Sequence, residues 1–145
     1  MGALSDYLEN KLIDHLLRGQ AYSAPATVYV GLLTAAPSDS GGGTEVSGNN
    51  YARASVASSL ANWAGTQSAG STIASSGTGG TTSNNGTISF ATPSASWGTV
   101  THFGVYDASC SGNLLFWGAL TISKTINNGD TVSFAAGALS FTIDA

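Results

Sequence analysis

The chain has 145 residues, of which 42% are hydrophobic and 8% are charged, and its net charge is −4. We expect a single domain over residues 1–145, because this length buries a core without disulfides or bound metals. The few cations are too scattered to bind nucleic acid or an anionic membrane. No apolar run is long enough for membrane insertion, and Met1–Leu17 lacks a signal-peptide pattern, which predicts synthesis in a cytoplasm.

The first predicted element is an amphipathic helix from Ser5 to Arg18, in the segment 5–19. The Ser5 hydroxyl is a good N-terminal cap, and Gly19 is a typical residue just beyond a helix end. Five aliphatic residues follow the spacing of one helix face. They are Leu8, Leu12, Ile13, Leu16 and Leu17. We expect this stripe to cover the end of a sheet or to dock on a partner.

After residue 26 the hydrophobic period changes from 3.6 to 2, which indicates strands. The predicted strands are Thr27–Thr34, Tyr51–Val56, Thr87–Ala91, Thr99–Tyr106, Asn113–Ile122, Thr131–Phe134 and Ala138–Ile143. Asn113–Ile122 is apolar on both faces, as in a central strand. The last strand alternates, with Leu139, Phe141 and Ile143 predicted inward and Ser140, Thr142 and Asp144 outward. The pattern predicts a mainly β fold, an antiparallel β-sandwich or jelly-roll-like domain over 26–145 with one N-terminal amphipathic α-helix.

Turn residues separate several of these strands. Asn127–Asp130 carries the Asn and Gly that favour a tight hairpin, and Asp107–Gly112 is a second predicted turn. Two longer polar stretches, residues 37–50 and 65–86, are predicted as loops. A loop as long as the second is usually functional or mobile.

The sequence offers few residues for catalysis or cofactor binding. A hydrolase would need His102 with a serine and an acid such as Asp107, but no nucleophile elbow is present, and a hydrogen-bonded sheet histidine is the simpler interpretation. Asp39 and Glu45 share a Gly-rich loop and form at most a weak calcium site. The single cysteine, Cys110, excludes an intrachain disulfide and leaves a tolerated free thiol or an interchain bond. We predict no enzyme activity, no catalytic residues, no cofactor and no metal.

The aromatic residues have two interpretations. They either fill a β-sandwich core or subunit interface, or line a surface that binds sugars. The residues concerned are Tyr29, Tyr51, Trp63, Trp97, Tyr106 and Trp117. Core or interface packing is the commoner role for aromatic side chains of a small β domain.

Four passages resemble a family of small tailed-bacteriophage virion proteins often labelled tail fibre proteins. They are Ser5–Gly19, Ala26–Arg53, Ala95–Leu120 and Ser123–Asp144. The resemblance covers nearly the whole chain except Asn62–Gly86. It implies a structural protein of the virion, made in the cytoplasm of the host bacterium, with no catalytic residues.

Within such a particle, the first expectation is a capsid decoration, or cement, protein on the head surface, because some compact β-sandwich proteins of this size act in that way. The alternative is a tail-fibre or tail-tip protein that contacts the host surface. The expected partners are further copies of the chain, in a homotrimer, and either the major capsid protein or tail proteins. The predicted partner-contact residues are Leu8, Leu12, Leu16, Asp39 and Glu45.

Overall fold

The computed structural model describes residues 2–143, so the outward orientation predicted for Asp144 lies outside the described residues. The elements are β1 (Ala3–Leu4), α1 (Asp6–Leu17), β2 (Thr27–Ala35), β3 (Thr44–Glu45), β4 (Ala54–Ala57), β5 (Thr81–Ser83), β6 (Ile88–Ser89), β7 (Gly98–Tyr106), β8 (Leu114–Ile126), β9 (Ser133–Phe134) and β10 (Ser140–Thr142). The fold is mainly β, with antiparallel strand pairs and one helix near the N-terminus, as the sequence pattern predicts.

The helix begins and ends where the capping residues indicate. The Ser5 hydroxyl accepts a hydrogen bond from the Leu8 amide at 3.2 Å, and it donates one to the Leu114 carbonyl of β8. Gly19 adopts a φ of 70°, which glycine reaches without steric cost, and the chain turns away there. Ser5 therefore caps α1 and also ties the start of the helix to the main sheet.

The main sheet runs in the order β1-β8-β7-β2-β3, and β4 also pairs with β2. The long pairing of β7 with β8 is a hairpin closed by the predicted turn at Asp107–Gly112. β1 pairs with β8 at Phe116 and Trp117 alone. Within the described residues, β8 therefore lies inside the sheet over its first part and forms an edge further on, rather than being central along its length.

A second layer consists of two short pairs, β10 with β5 and β6 with β9. The core lies between this layer and one face of the main sheet. Val30, Phe103 and Val105 on the sheet pack with Leu139 and Phe141 from the second layer. The two layers form a β-sandwich whose interior is held mainly by aliphatic and phenylalanine side chains.

Several strand predictions need correction. Asn127–Asp130 is a turn, since the Asp130 amide donates to the Asn127 carbonyl at 3.2 Å, but it is no hairpin. β8 pairs with β7 whereas β9 pairs with β6, because each strand finds its hydrophobic partner in a different layer. Ile143, predicted inward, is 57% exposed because β10 ends at Thr142.

The predicted loops also contain structure that the sequence pattern did not reveal. β3 lies within residues 37–50, and β5 lies within residues 65–86. Asn84, directly after β5, is buried, and its side-chain Nδ2 donates to the carbonyls of Gly86 (2.8 Å) and Ala135 (2.9 Å). Its side-chain Oδ1 accepts from the Leu139 amide at 2.9 Å. A buried amide bonded in this way joins β5 to the segment before β10.

Candidate interaction surfaces

The residues considered for catalysis are placed apart. His102 lies on the sheet face opposite Phe103, and its Nδ1 shares a hydrogen bond of 2.8 Å with the Thr101 hydroxyl. Asp107 accepts hydrogen bonds from the Asn113 amide and side chain, at 2.7 and 2.8 Å, and so stabilises the hairpin turn. Each of the two groups therefore has a structural hydrogen-bond partner of its own.

The two acids considered for calcium also have separate partners. Asp39 Oδ1 accepts from the Trp117 indole at 3.0 Å, while Glu45 binds Arg53 through both carboxylate oxygens. Among residues 2–143, no group of three or more His, Cys, Asp or Glu side chains is placed to hold a metal ion. The same part of the chain contains no helix long and apolar enough to cross a membrane. Cys110 is exposed in the turn between β7 and β8.

Arg53 is the centre of a polar cluster that sequence reasoning did not identify. Its Nη1 donates to the carbonyls of Ala108 and Ser111, both at 2.8 Å, in the hairpin turn. Its guanidinium lies 3.6 Å from the centroid of the Tyr106 ring. The side chain is only 7% exposed, so these hydrogen-bond acceptors and the Tyr106 ring compensate for the hydration that the guanidinium loses on burial. The role of this cluster is structural, because it joins Glu45 to the hairpin.

Tyr51 completes the cluster. Its hydroxyl donates to Glu45 Oε2 at 2.6 Å and accepts from the Leu32 amide at 2.9 Å. Burial and the hydrogen bond to the Glu45 carboxylate raise the pKa of Tyr51. Burial disfavours the charge on Arg53, but the hydrogen bond and charge of Glu45 outweigh burial and raise the pKa of Arg53. The cluster is therefore one carboxylate, one cation and a neutral phenol.

The helix presents an exposed aliphatic surface. Of the predicted partner-contact residues in the helix, Leu8 is buried within the fold, Leu12 is half-buried and Leu16 is 73% exposed. Ile13 and Leu17 are 52% and 81% exposed. We call Ile13, Leu16 and Leu17 the helix patch. Large exposed apolar patches of this kind mark interaction sites in soluble proteins.

Most of the aromatic residues considered for sugar binding are used internally. Trp97 is buried, packs edge-on against Tyr51, and donates its indole N–H to the Asn49 carbonyl at 2.9 Å. The Tyr106 ring stacks against the Arg53 guanidinium. Trp63, which is partly buried, differs because it borders an open cleft.

This aromatic cleft has a volume of about 380 Å³. Trp63, Phe116 and Phe141 form its apolar floor, and hydroxyl-bearing residues of 58–82 stand around it. The ring centroids of Trp63 and Phe141 are 5.9 Å apart, and those of Phe116 and Phe141 are 4.9 Å apart. The strands place Phe116 and Phe141 side by side, and the segment after β4 adds Trp63, so the cleft is a product of tertiary structure.

A larger cavity of about 730 Å³ lies between β8 and the segment 130–140. Its walls include core residues such as Leu32, Val100 and Phe103. β8 bulges away from β7 between Ala119 and Lys124, and residues of this bulge line the cavity. Ile122, near the middle of the bulge, is 80% exposed.

A family model described as Podophage GP4 fiber I protein gp80 matches residues 3–142. The chain belongs to this family. No curated protein matches the sequence. The fiber I match also spans Asn62–Gly86, which the four resembling passages leave out. Membership in the fiber I family makes the chain a fibre-type structural component of a phage particle, and places the helix patch and the aromatic cleft on a virion protein.

Proposed function

We propose that the chain is a non-enzymatic subunit of a tail fibre or tail tip, made in the host cytoplasm, that contacts the host surface. The match to the fiber I family over residues 3–142 carries this proposal. The geometry supports it, because His102 and Asp107 have structural partners and because two surfaces remain open for binding. One is the helix patch and the other is the aromatic cleft.

The helix patch supports assembly into homotrimers. Ile13, Leu16 and Leu17 together offer three large aliphatic side chains to a neighbour, and burying each contributes roughly 1.5–3 kcal/mol. With only 8% charged residues, copies of the chain approach one another with little charge repulsion and little cost of removing charges from water. A cyclic arrangement around the helix patches buries all of them at once.

Sedimentation velocity of the Leu16→Lys/Leu17→Lys variant tests the assembly. We expect the wild-type chain to sediment as a homotrimer and the variant as a monomer with an unchanged circular dichroism spectrum. Ile122→Lys is the matched control, because Ile122 is equally exposed and lies outside the helix patch. A trimer that survives in the double variant, or that is lost in the control, places the interface elsewhere.

The location on the particle separates a fibre from the capsid decoration protein that the sequence first suggested. The family description favours the fibre. Quantitative mass spectrometry of purified particles gives the copy number relative to the major capsid protein. We expect a small fraction of that protein's copies, as for a tail component. A ratio close to one, or a simple fraction of one, supports decoration of the head lattice, and absence from particles contradicts both locations.

A further inference from the structure

We propose that the aromatic cleft binds an uncharged sugar ring, a hexose or an N-acetylhexosamine, of a cell-surface polysaccharide. This inference rests on the proposed contact with the host surface and assigns that contact to the aromatic cleft. Its volume of about 380 Å³ lies within the range of roughly 300–1,000 Å³ that is common for small-ligand sites.

The floor of the cleft suits the apolar face of a sugar ring. All three aromatic residues line the cleft, and Trp63 and Phe116 are partly exposed, whereas Phe141 is buried. Aromatic rings offer broad, rigid contact area with little conformational entropy to lose. A pyranose ring presents C–H groups on its faces and hydroxyls around its edge, so it matches an aromatic floor surrounded by polar groups.

The rim offers both donors and acceptors. The hydroxyls of Ser59 and Ser75 accept from the amides of Asn62 (3.3 Å) and Thr66 (3.2 Å), which leaves each hydroxyl proton available for donation. The Thr66 hydroxyl instead donates to the Ser76 carbonyl at 2.8 Å and keeps its lone pairs for accepting. Sugar hydroxyls both donate and accept, so this set complements them.

The cleft wall formed by residues 65–80 is built before any ligand arrives. The Gln67 amide nitrogen donates to the Ser71 hydroxyl (3.0 Å) and to the Ala74 carbonyl (3.1 Å), and its oxygen accepts from the Ser76 amide (3.2 Å). A wall that is already ordered reduces the entropy lost on binding.

Charge decides the class of sugar. No charged residue of the described chain lines the cleft, and the whole protein carries a net charge of −4. An acidic sugar would lose part of the hydration of its carboxylate in the cleft and would find no cation there to balance the charge. The exposed side chains of Leu60 and Ile143 at the edge of the cleft favour an additional apolar substituent, such as an N-acetyl methyl group.

Saturation-transfer NMR on the full chain tests the proposal, with glucose, galactose, N-acetylglucosamine and glucuronic acid as probes. We expect transfer to the ring protons of at least one neutral sugar, with a dissociation constant on the order of 1 mM. Ser58→Tyr places a large side chain at the cleft and is expected to weaken binding by at least about tenfold. Ser109→Tyr, at an exposed position in the β7–β8 turn, is the matched control and is expected to bind normally.

Three results would overturn the proposal. They are transfer to none of the neutral sugars, equal binding by the Ser58→Tyr variant, and preference for glucuronic acid. Equal melting temperatures of the two tyrosine variants ensure that the comparison reports binding. The mass spectrometry of particles tests the proposed function separately from this inference. A chain that binds sugar but is absent from fibres contradicts the proposed function, whereas a fibre subunit that binds no sugar contradicts this inference alone.

Discussion

Arg53 and Glu45 form a two-point ion pair, in which Nη2 donates to Oε1 at 2.8 Å and Nε donates to Oε2 at 2.9 Å. The pair is held against Tyr106, and the remaining Arg53 nitrogen reaches the turn between β7 and β8. It therefore couples the short strand β3 to a hairpin that is distant in sequence. This relationship makes the polar cluster a part of the molecule where single changes have measurable effects.

Arg53→Lys is expected to lower the free energy of unfolding by about 2–4 kcal/mol. A lysine ammonium cannot reproduce the two-point bond or stack on Tyr106, so Glu45 and two turn carbonyls lose donors in a poorly hydrated site. Arg18→Lys is the matched control, because Arg18 pairs with Asp14 at the surface and should change stability by less than about 0.5 kcal/mol. Urea unfolding measures both. Equal effects of the two substitutions would contradict the structural role of Arg53.

Tyr51 predicts a loss of stability in alkali. Because the pKa of Tyr51 is raised in the folded state, the unfolded chain releases this proton near pH 10 while the folded chain keeps it. The contribution of Tyr51 to the free energy of unfolding is therefore complete below about pH 10. Above that pH the free energy of unfolding falls by up to about 1.4 kcal/mol per pH unit. Urea unfolding at successive alkaline pH values measures this slope. Tyr51→Phe should make the slope shallower, and an identical slope would exclude Tyr51 as its source.

Gly31→Ala is expected to destabilise the protein by about 1–3 kcal/mol. An added Cβ would lie 2.7 Å from Glu45 Oε2, 3.1 Å from the Tyr106 ring and 3.2 Å from the Tyr51 hydroxyl, so the cluster would have to move. Gly86→Ala is the control, because a Cβ there meets no atom within 4 Å. Thermal melting compares the two variants. A Gly31→Ala variant as stable as the control would show that the side chains of the cluster move at little cost in free energy.

The helix separates a folding role from an assembly role. Leu8→Ala should lower the free energy of unfolding by about 2–4 kcal/mol, because Leu8 is buried. Leu16→Ala should change monomer stability by less than about 0.5 kcal/mol, because Leu16 is 73% exposed, but should weaken self-association. Chemical unfolding at low protein concentration and sedimentation measure the two effects. The reverse pattern would mean that the helix packs on the rest of the chain through Leu16 and not through Leu8.

Local signals in the sequence were sufficient for much of the fold. The cap at Ser5 and the glycine at position 19 predict the helix, and period-two alternation predicts β2 and β7 almost to their ends. These features depend on neighbours in the chain, so composition and spacing report them. The short strands β1, β3 and β5 carry too few residues to show any period.

The interaction surfaces were less accessible to sequence analysis. The aliphatic stripe of α1 indicated an apolar face, but only the structure distinguishes Leu8, which is covered, from Leu16, which is not. Trp63 belonged to a group of aromatic residues with two possible roles, and its position beside Phe116 depends on strands distant in sequence. Arg53 gave no signal, because an isolated arginine in a candidate strand resembles any exposed cation.

By itself, the sequence determined a mainly β, weakly charged chain with one N-terminal amphipathic helix, because hydrophobic period, caps and turn residues act over a few positions. Only the tertiary structure decided that β9 pairs with β6 instead of β8, that Arg53 is buried around Glu45, and that part of the helix stripe stays exposed. Those outcomes depend on which distant segments pack against each other, and many segments of similar hydrophobicity compete for that packing in a chain of short strands.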